Sequence, residues 1–376
     1  MKNKIFFNSI VATLITVIFS VLAGCASTPS EGANNESAAA RRLATDLNTM
    51  NGGSVTVNGN TVTLNNNIGV RRNLIVPNGV TLDLTGDSGL WLQDGITLTV
   101  NGTVNTPSNR IGCDGSTNAR SVTINGTGTI NLKSKGRLLN IDNGKILTLD
   151  GITLIGLTDN DSPLVGVNEG GELIMKGGTI TGYTRNVEGS GGGGVHLWRG
   201  TFTMFGGEIY GNSSKEDVGG ILAQYSTFTM KGGTISDNSG KWGGGVAVQN
   251  DSRFIMEGGE ISGNINDFDG GGVFVYTNTV FTMIGGVIYG NTAANRGGGV
   301  FVVNNSMFTM EGGRIQGGTT SDGFAANIAQ NGASLRVNEN ATASRWGMGG
   351  TYTKGGVLQT GGSDIGNTND TLIAIP

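Results

Sequence analysis

FTMFGGEIYGN (202–212) returns as FTMKGGTISDN (228–238), FIMEGGEISGN (254–264), FTMIGGVIYGN (281–291) and FTMEGGRIQGG (308–318). The Met positions are 204, 230, 256, 283 and 310, a step of 26 or 27 residues. The same frame runs back through Met175, Leu149, Ile124 and Val100 and forward to Val337. The apolar residue two places earlier keeps pace, from Leu98, Val122, Leu147 and Leu173 through the five phenylalanines to Leu335. Between copies lies a second motif: GGGVHLW (192–198), GGILAQ (219–224), GGGVAVQ (243–249), GGGVFVY (270–276) and GGGVFVV (297–303). Self-similarity at a fixed step of this size is the mark of a solenoid or array.

Each unit holds three short extended pieces separated by Gly, Asn and Asp, and each piece alternates apolar with polar residues. A single unit cannot bury its apolar face; stacked units can, with equivalent residues about 4.8 Å apart along the axis. The expectation is therefore an all-β, single-stranded right-handed parallel β-helix of about 12 coils over residues 53–340. Phe, Met and Ile columns stack like on like, and Asn212, Asn238, Asn264 and Asn291 form a hydrogen-bonded ladder. The leucine-rich pattern is absent, and strands of this length are shorter than the ~9–11 residues of a membrane barrel. The Gly and Thr load argues against a helical solenoid.

Composition agrees. Gly is 68 of 376 residues against a usual share of about 7%, with no Gly-X-Y period, so collagen is excluded. Charged residues are 14%, too few for a disordered chain. A net charge of −4 gives no reason to expect nucleic acid as a partner. Two cysteines supply no disulfide framework.

The N-terminus reads as an address. Lys2 and Lys4 precede an apolar run that ends in Leu22-Ala23-Gly24-Cys25, a signal peptide over 1–24. The string LAGC resembles the lipobox of bacterial lipoproteins. That resemblance implies cleavage before Cys25, lipidation of Cys25, and a membrane partnership through the lipid; Ala26 after the cysteine implies outer-membrane delivery. Residues 25–36 are small and polar and read as a tether. Over 37–52, Ser37 is a candidate N-cap, Leu43 and Leu47 are four apart and Gly52 is a candidate stop, which suits a short capping helix. The tail, 341–376, breaks the pattern; Trp346, Met348, Tyr352 and Val357 are candidates to cover the last coil, with a free tail as the alternative.

The G-G-x-I-x-G-N and G-G-G-V-x-V pattern resembles right-handed parallel β-helix (pectin-lyase-like) repeat proteins, especially repeat-rich surface lipoproteins of spirochaetes and gut anaerobes. The resemblance covers about 53–340. It implies a fold and a bacterial envelope location, and leaves the task open.

Chemistry has few candidates. The paired acids Asp159 and Asp161, Glu216 and Asp217, and Asp267 and Asp269 fall in loops of different coils and read as solvated charge. His196 is the sole histidine, so no histidine-based metal site is expected, and no cofactor. Cys113 lacks the neighbours of an activated thiolate. One surface stands out. If Val195, Ile221, Val246, Val273 and Val300 face inward, His196, Leu222, Ala247, Phe274 and Phe301 face outward, beside Trp198, Gln224, Gln249, Tyr276 and Val303. Such a strip is a candidate platform for sugar rings or a patch for a host or cell-surface protein, with His196, Trp198, Phe274, Tyr276 and Phe301 as its candidate contacts. Adjacent loops folding over it is the alternative. Three roles remain open: a surface protein for adhesion or ligand binding, an envelope spacer, and a polysaccharide lyase or hydrolase.

Overall fold

A computed structural model describes residues 36–50, 53–115, 120–186 and 191–316, and the backbone of further strands between 319 and 360. Cys25 and the leader lie outside the described residues, as do the side chains of Trp346, Met348, Tyr352 and Val357. The body is a parallel β-solenoid. Two of its faces are 13-stranded sheets. The third is a nine-stranded sheet from Leu139–Ile141 to Trp346–Met348, preceded by a separate three-stranded sheet. All three faces run unbroken together for about nine turns, against the 12 expected. The break falls between Ile111–Cys113 and Leu139–Ile141, which do not join in one ladder.

Strands of successive coils pair in parallel and in register, Phe202 with Phe228, Phe254, Phe281 and Phe308 in turn. The register follows from burial: a slip of one residue would turn each Phe and Met to solvent. The five phenylalanines are fully buried, with ring centroids 5.0, 4.8, 4.5 and 4.6 Å apart and near-parallel planes. The Met column, the Ile column and the inward row Val195, Ile221, Val246, Val273 and Val300 share the same core. Each such side chain contributes about 1.5–3 kcal/mol of burial.

At the corner after the Ile strand the four asparagines form the ladder anticipated above, all of them buried. Asn264 shows the unit. Its Nδ2 donates to Asn291 Oδ1 at 2.9 Å and to the Ile235 carbonyl at 2.9 Å, while its Oδ1 accepts the Asn238 backbone N–H and Nδ2 at 3.0 Å each. The glycine runs make room for this ladder: a Cβ on Gly272 would stand 2.8 Å from Asn291 Nδ2. A second, shorter ladder of hydroxyls precedes the Phe strands. Gly200 N–H donates to Ser226 Oγ, Ser226 N–H to Ser252 Oγ and Thr279 N–H to Ser306 Oγ, at 3.0–3.2 Å. The signal for it was in the sequence, a Ser or Thr two places before each Phe from 228 onward.

The ends of the stack are closed by antiparallel pairs. Val55–Asn58 folds back on Thr61–Leu64, and Val357–Thr360 on Thr351–Lys354. One helix, α1, spans Ala38–Asn48. Its N-cap is Ser37, whose Oγ accepts the Ala40 N–H at 3.1 Å. Leu43 and Leu47 are buried in the core of the solenoid, so α1 covers its first coil. Among the described residues no helix is long and apolar enough to cross a membrane.

Candidate functional site

The inward phase of the Val row is as expected, and the residues between its members do point away from the core. They are not a free strip, however. Phe274 is 5% exposed and Phe301 2%, and with Val218, Leu222, Ala247 and Val303 they form a second apolar cluster. The expectation that Phe274 and Phe301 lie open to solvent is therefore corrected. The cause is backbone: the first glycine of the last three runs, Gly243, Gly270 and Gly297, passes directly over the outward residue of its own coil, Ala247, Phe274 or Phe301. Gly270 has φ 77°, and a Cβ there would sit 2.7 Å from Phe274 Cβ. Only a residue without a side chain can bend back and lie so close. Over Phe301 the cover is completed by Arg296, stacked 4.8 Å above the ring and held by Asp269 at 3.0 and 2.6 Å.

The cover is incomplete over the preceding coils, and there a cleft of about 630 Å³ opens. His196, Leu222 and Phe274 form its floor, and Trp198, Gln224, Gln249 and Tyr276 its outer row. Gly191, Glu216, Asp217 and Trp242 stand opposite. Pairing puts Trp198 beside Gln224, Gln224 beside Gln249 and Gln249 beside Tyr276 on consecutive coils. Trp198 is 40% exposed and braced edge-on by Tyr225 at 5.2 Å. Trp242 is 39% exposed and packs on Phe268, with centroids 4.9 Å apart.

The structure thus brings His196, Trp198, Phe274 and Tyr276 into one cleft and leaves Phe301 outside its lining. Trp242 is the residue that sequence reasoning missed. It lies four residues before the inward Val246, the place that Asp217, Asp269 and Arg296 hold before Ile221, Val273 and Val300 in neighbouring coils. Trp242 leans over the outward column, its ring 6.5 Å from that of Phe274, as Arg296 leans over Phe301.

The polar groups of the cleft are largely committed. Asp217 is buried and its Oδ2 accepts the Gly191 and Gly192 N–H groups at 2.7 and 3.0 Å, while Oδ1 accepts the Val218 N–H at 3.0 Å. Glu216 is paired with Lys241 at 2.6 Å. His196 Nε2 lies 3.0 Å from Gln224 Oε1; an amide oxygen can only accept, so Nε2 carries the proton. Burial holds this imidazole below the usual histidine range, partly offset by the bond to Gln224, so it is neutral at pH 7. Elsewhere, Asp159 pairs with Lys135 at 2.8 Å, and burial pushes the Cys113 thiol up, away from a reactive thiolate. Among the described residues no group of three His, Cys, Asp or Glu gathers as a metal site.

Fold and site together define a parallel β-solenoid with one aromatic and amide-lined cleft among the described residues. No family model, no curated protein and no solved structure matches the chain. What stands of the resemblance drawn from the repeats is the solenoid fold.

Proposed function

We propose that this is an envelope protein, lipid-anchored through Cys25, whose solenoid presents the cleft as a ligand-binding site for adhesion or capture rather than for catalysis. The observation that carries the reading is the cleft itself, a concave site with four aromatic rings and a few placed amides. The anchor rests on Leu22-Ala23-Gly24-Cys25 and the apolar run before it. A polysaccharide lyase or hydrolase would need carboxylates ready to exchange protons at set separations. Here the Asp217 carboxylate is held by three backbone N–H groups and Glu216 by an ammonium.

The experiment is a thermal-shift and fluorescence screen of the full-length protein against neutral oligosaccharides, acidic oligosaccharides and peptides, repeated with Trp198→Ala and Trp242→Ala. Binding by any class that both substitutions abolish supports the reading. Ligands that bind equally well to both variants overturn it. Tritiated palmitate incorporation in cells, lost in Cys25→Ser, tests the anchor; labelling that persists sinks it.

A further inference from the structure

Resting on that reading, we infer that the ligand is an uncharged oligosaccharide lying along the solenoid axis, its rings against the indoles of Trp198 and Trp242 and its hydroxyls read by Gln224 and Gln249.

Charge is the first argument. A cleft for an acidic or basic ligand needs an uncommitted opposite charge. The carboxylate of Asp217 is spent on backbone donors, Glu216 is neutralised by Lys241, and His196 is neutral. Among the described lining residues, what remains on offer is π-faces and amides. An indole takes the apolar C–H face of a pyranose, and an amide can both donate to and accept from its hydroxyls.

Periodicity is the second. The row Trp198, Gln224, Gln249, Tyr276 crosses four coils in register. Three inter-strand steps make about 14 Å. This length suits a short chain of repeating units lying across the coils better than a single small molecule. His196 holds the Gln224 oxygen at 3.0 Å and so restricts the orientation of that amide.

A peptide fits less well. Extended peptides add to an exposed strand edge. The strands under the cleft, Val195–Trp198 to Val273–Tyr276, lie inside the nine-stranded sheet with a neighbour on each side. Recognition there must come from side chains.

Backbone strain next to the outer row points the same way. Among the described residues, eleven that are not glycine have positive φ, and eight of them sit at one corner: Arg199, Tyr225, Asn250, Asp251, Thr277, Asn278, Asn304 and Asn305. Four of these, Arg199, Tyr225, Asn250 and Thr277, directly follow the four residues of the row. Asn and Asp tolerate this conformation, but Tyr225 and the β-branched Thr277 do not do so readily. A chain with 68 glycines has kept side chains where glycine would relax the backbone. Strain of this kind collects at functional sites.

The test titrates the full-length protein, in a non-glycosidic detergent, with cello-, xylo-, manno- and malto-oligosaccharides from di- to hexasaccharide. Oligogalacturonates and an unstructured peptide serve as counterparts. Tryptophan fluorescence and calorimetry read binding. One neutral series should bind with affinity that rises with chain length and then levels off, with little dependence on salt. Trp198→Ala and Trp242→Ala should each weaken it at least tenfold. Gln249→Leu, which leaves both indoles in place, should weaken it several-fold at an unchanged melting temperature. Should oligogalacturonates or the peptide bind instead, and lose binding in Trp242→Ala, the cleft is a binding site and the uncharged-glycan inference is wrong. If no probe responds to either tryptophan substitution, both readings fail.

Discussion

Replacing Asn264 with alanine removes an inner rung of the asparagine ladder, and its cost can be worked from the four bonds that the side chain makes. Two are donated, to Asn291 Oδ1 and the Ile235 carbonyl, and two accepted, from the Asn238 N–H and Nδ2. At about 1 kcal/mol net each they sum to about 4 kcal/mol. Two partners keep another bond: Asn238 Nδ2 still donates to the Ile209 carbonyl at 2.9 Å, and Asn291 Oδ1 still accepts the Asn264 N–H at 3.0 Å. The Asn238 N–H loses its acceptor in a fully buried setting, while a water entering the vacated space would recover part of the loss. The expected destabilisation is therefore roughly 3–5 kcal/mol. Guanidinium unfolding followed by far-UV circular dichroism measures it. Because coils of a solenoid can unfold separately, native-state hydrogen exchange at the Asn238 amide is read alongside. Asn238→Ala and Asn264→Ala share one side-chain bond, Asn238 Nδ2 to Asn264 Oδ1, so the two single losses should exceed the double loss by about 1 kcal/mol. A loss under about 1 kcal/mol, with the Asn238 amide still protected, would refute the ladder as a source of stability.

Phe254→Ala empties the centre of the ring stack and should cost about 3–5 kcal/mol, while Phe254→Leu should recover more than half of that; equal melting temperatures for the two would show that the column is not tightly packed. Burial lowers the folded-state pKa of His196 below its unfolded value of about 6.5, so its stabilising contribution is full above that pH and declines as the pH drops below it. Stability between about pH 7.5 and about pH 5 should therefore fall more steeply in the wild type than in His196→Gln; parallel slopes would contradict the assignment. Tyr225→Asn relaxes a left-handed residue and removes the ring that braces Trp198. Melting temperature should hold or rise, by up to about 1 kcal/mol in stability, while affinity for the cleft ligand drops; affinity that stays unchanged would sever the corner from the site.

The asparagine and phenylalanine columns were legible from residue spacing because stacking places equals upon equals. Once a step of 26 or 27 residues recurs, Phe254 has nowhere to go but between Phe228 and Phe281. Alternation along a strand likewise fixed the inward row Val195 to Val300. It also named four of the cleft residues, His196, Trp198, Phe274 and Tyr276, since they are the outward neighbours of that row.

Alternation separates the two faces of a strand, but it carries no information about what lies over the outer one. Whether Phe274 and Phe301 meet solvent depends on the path of glycines that bend back across them, and on an Asp269–Arg296 pair contributed by successive coils. The same path brings Trp242 over the column as the far wall of the cleft. A repeat period sets neighbours along the axis, whereas the route of a glycine-rich loop around the coil is decided only when the coils are stacked, because a residue without a side chain leaves no apolar pattern to read.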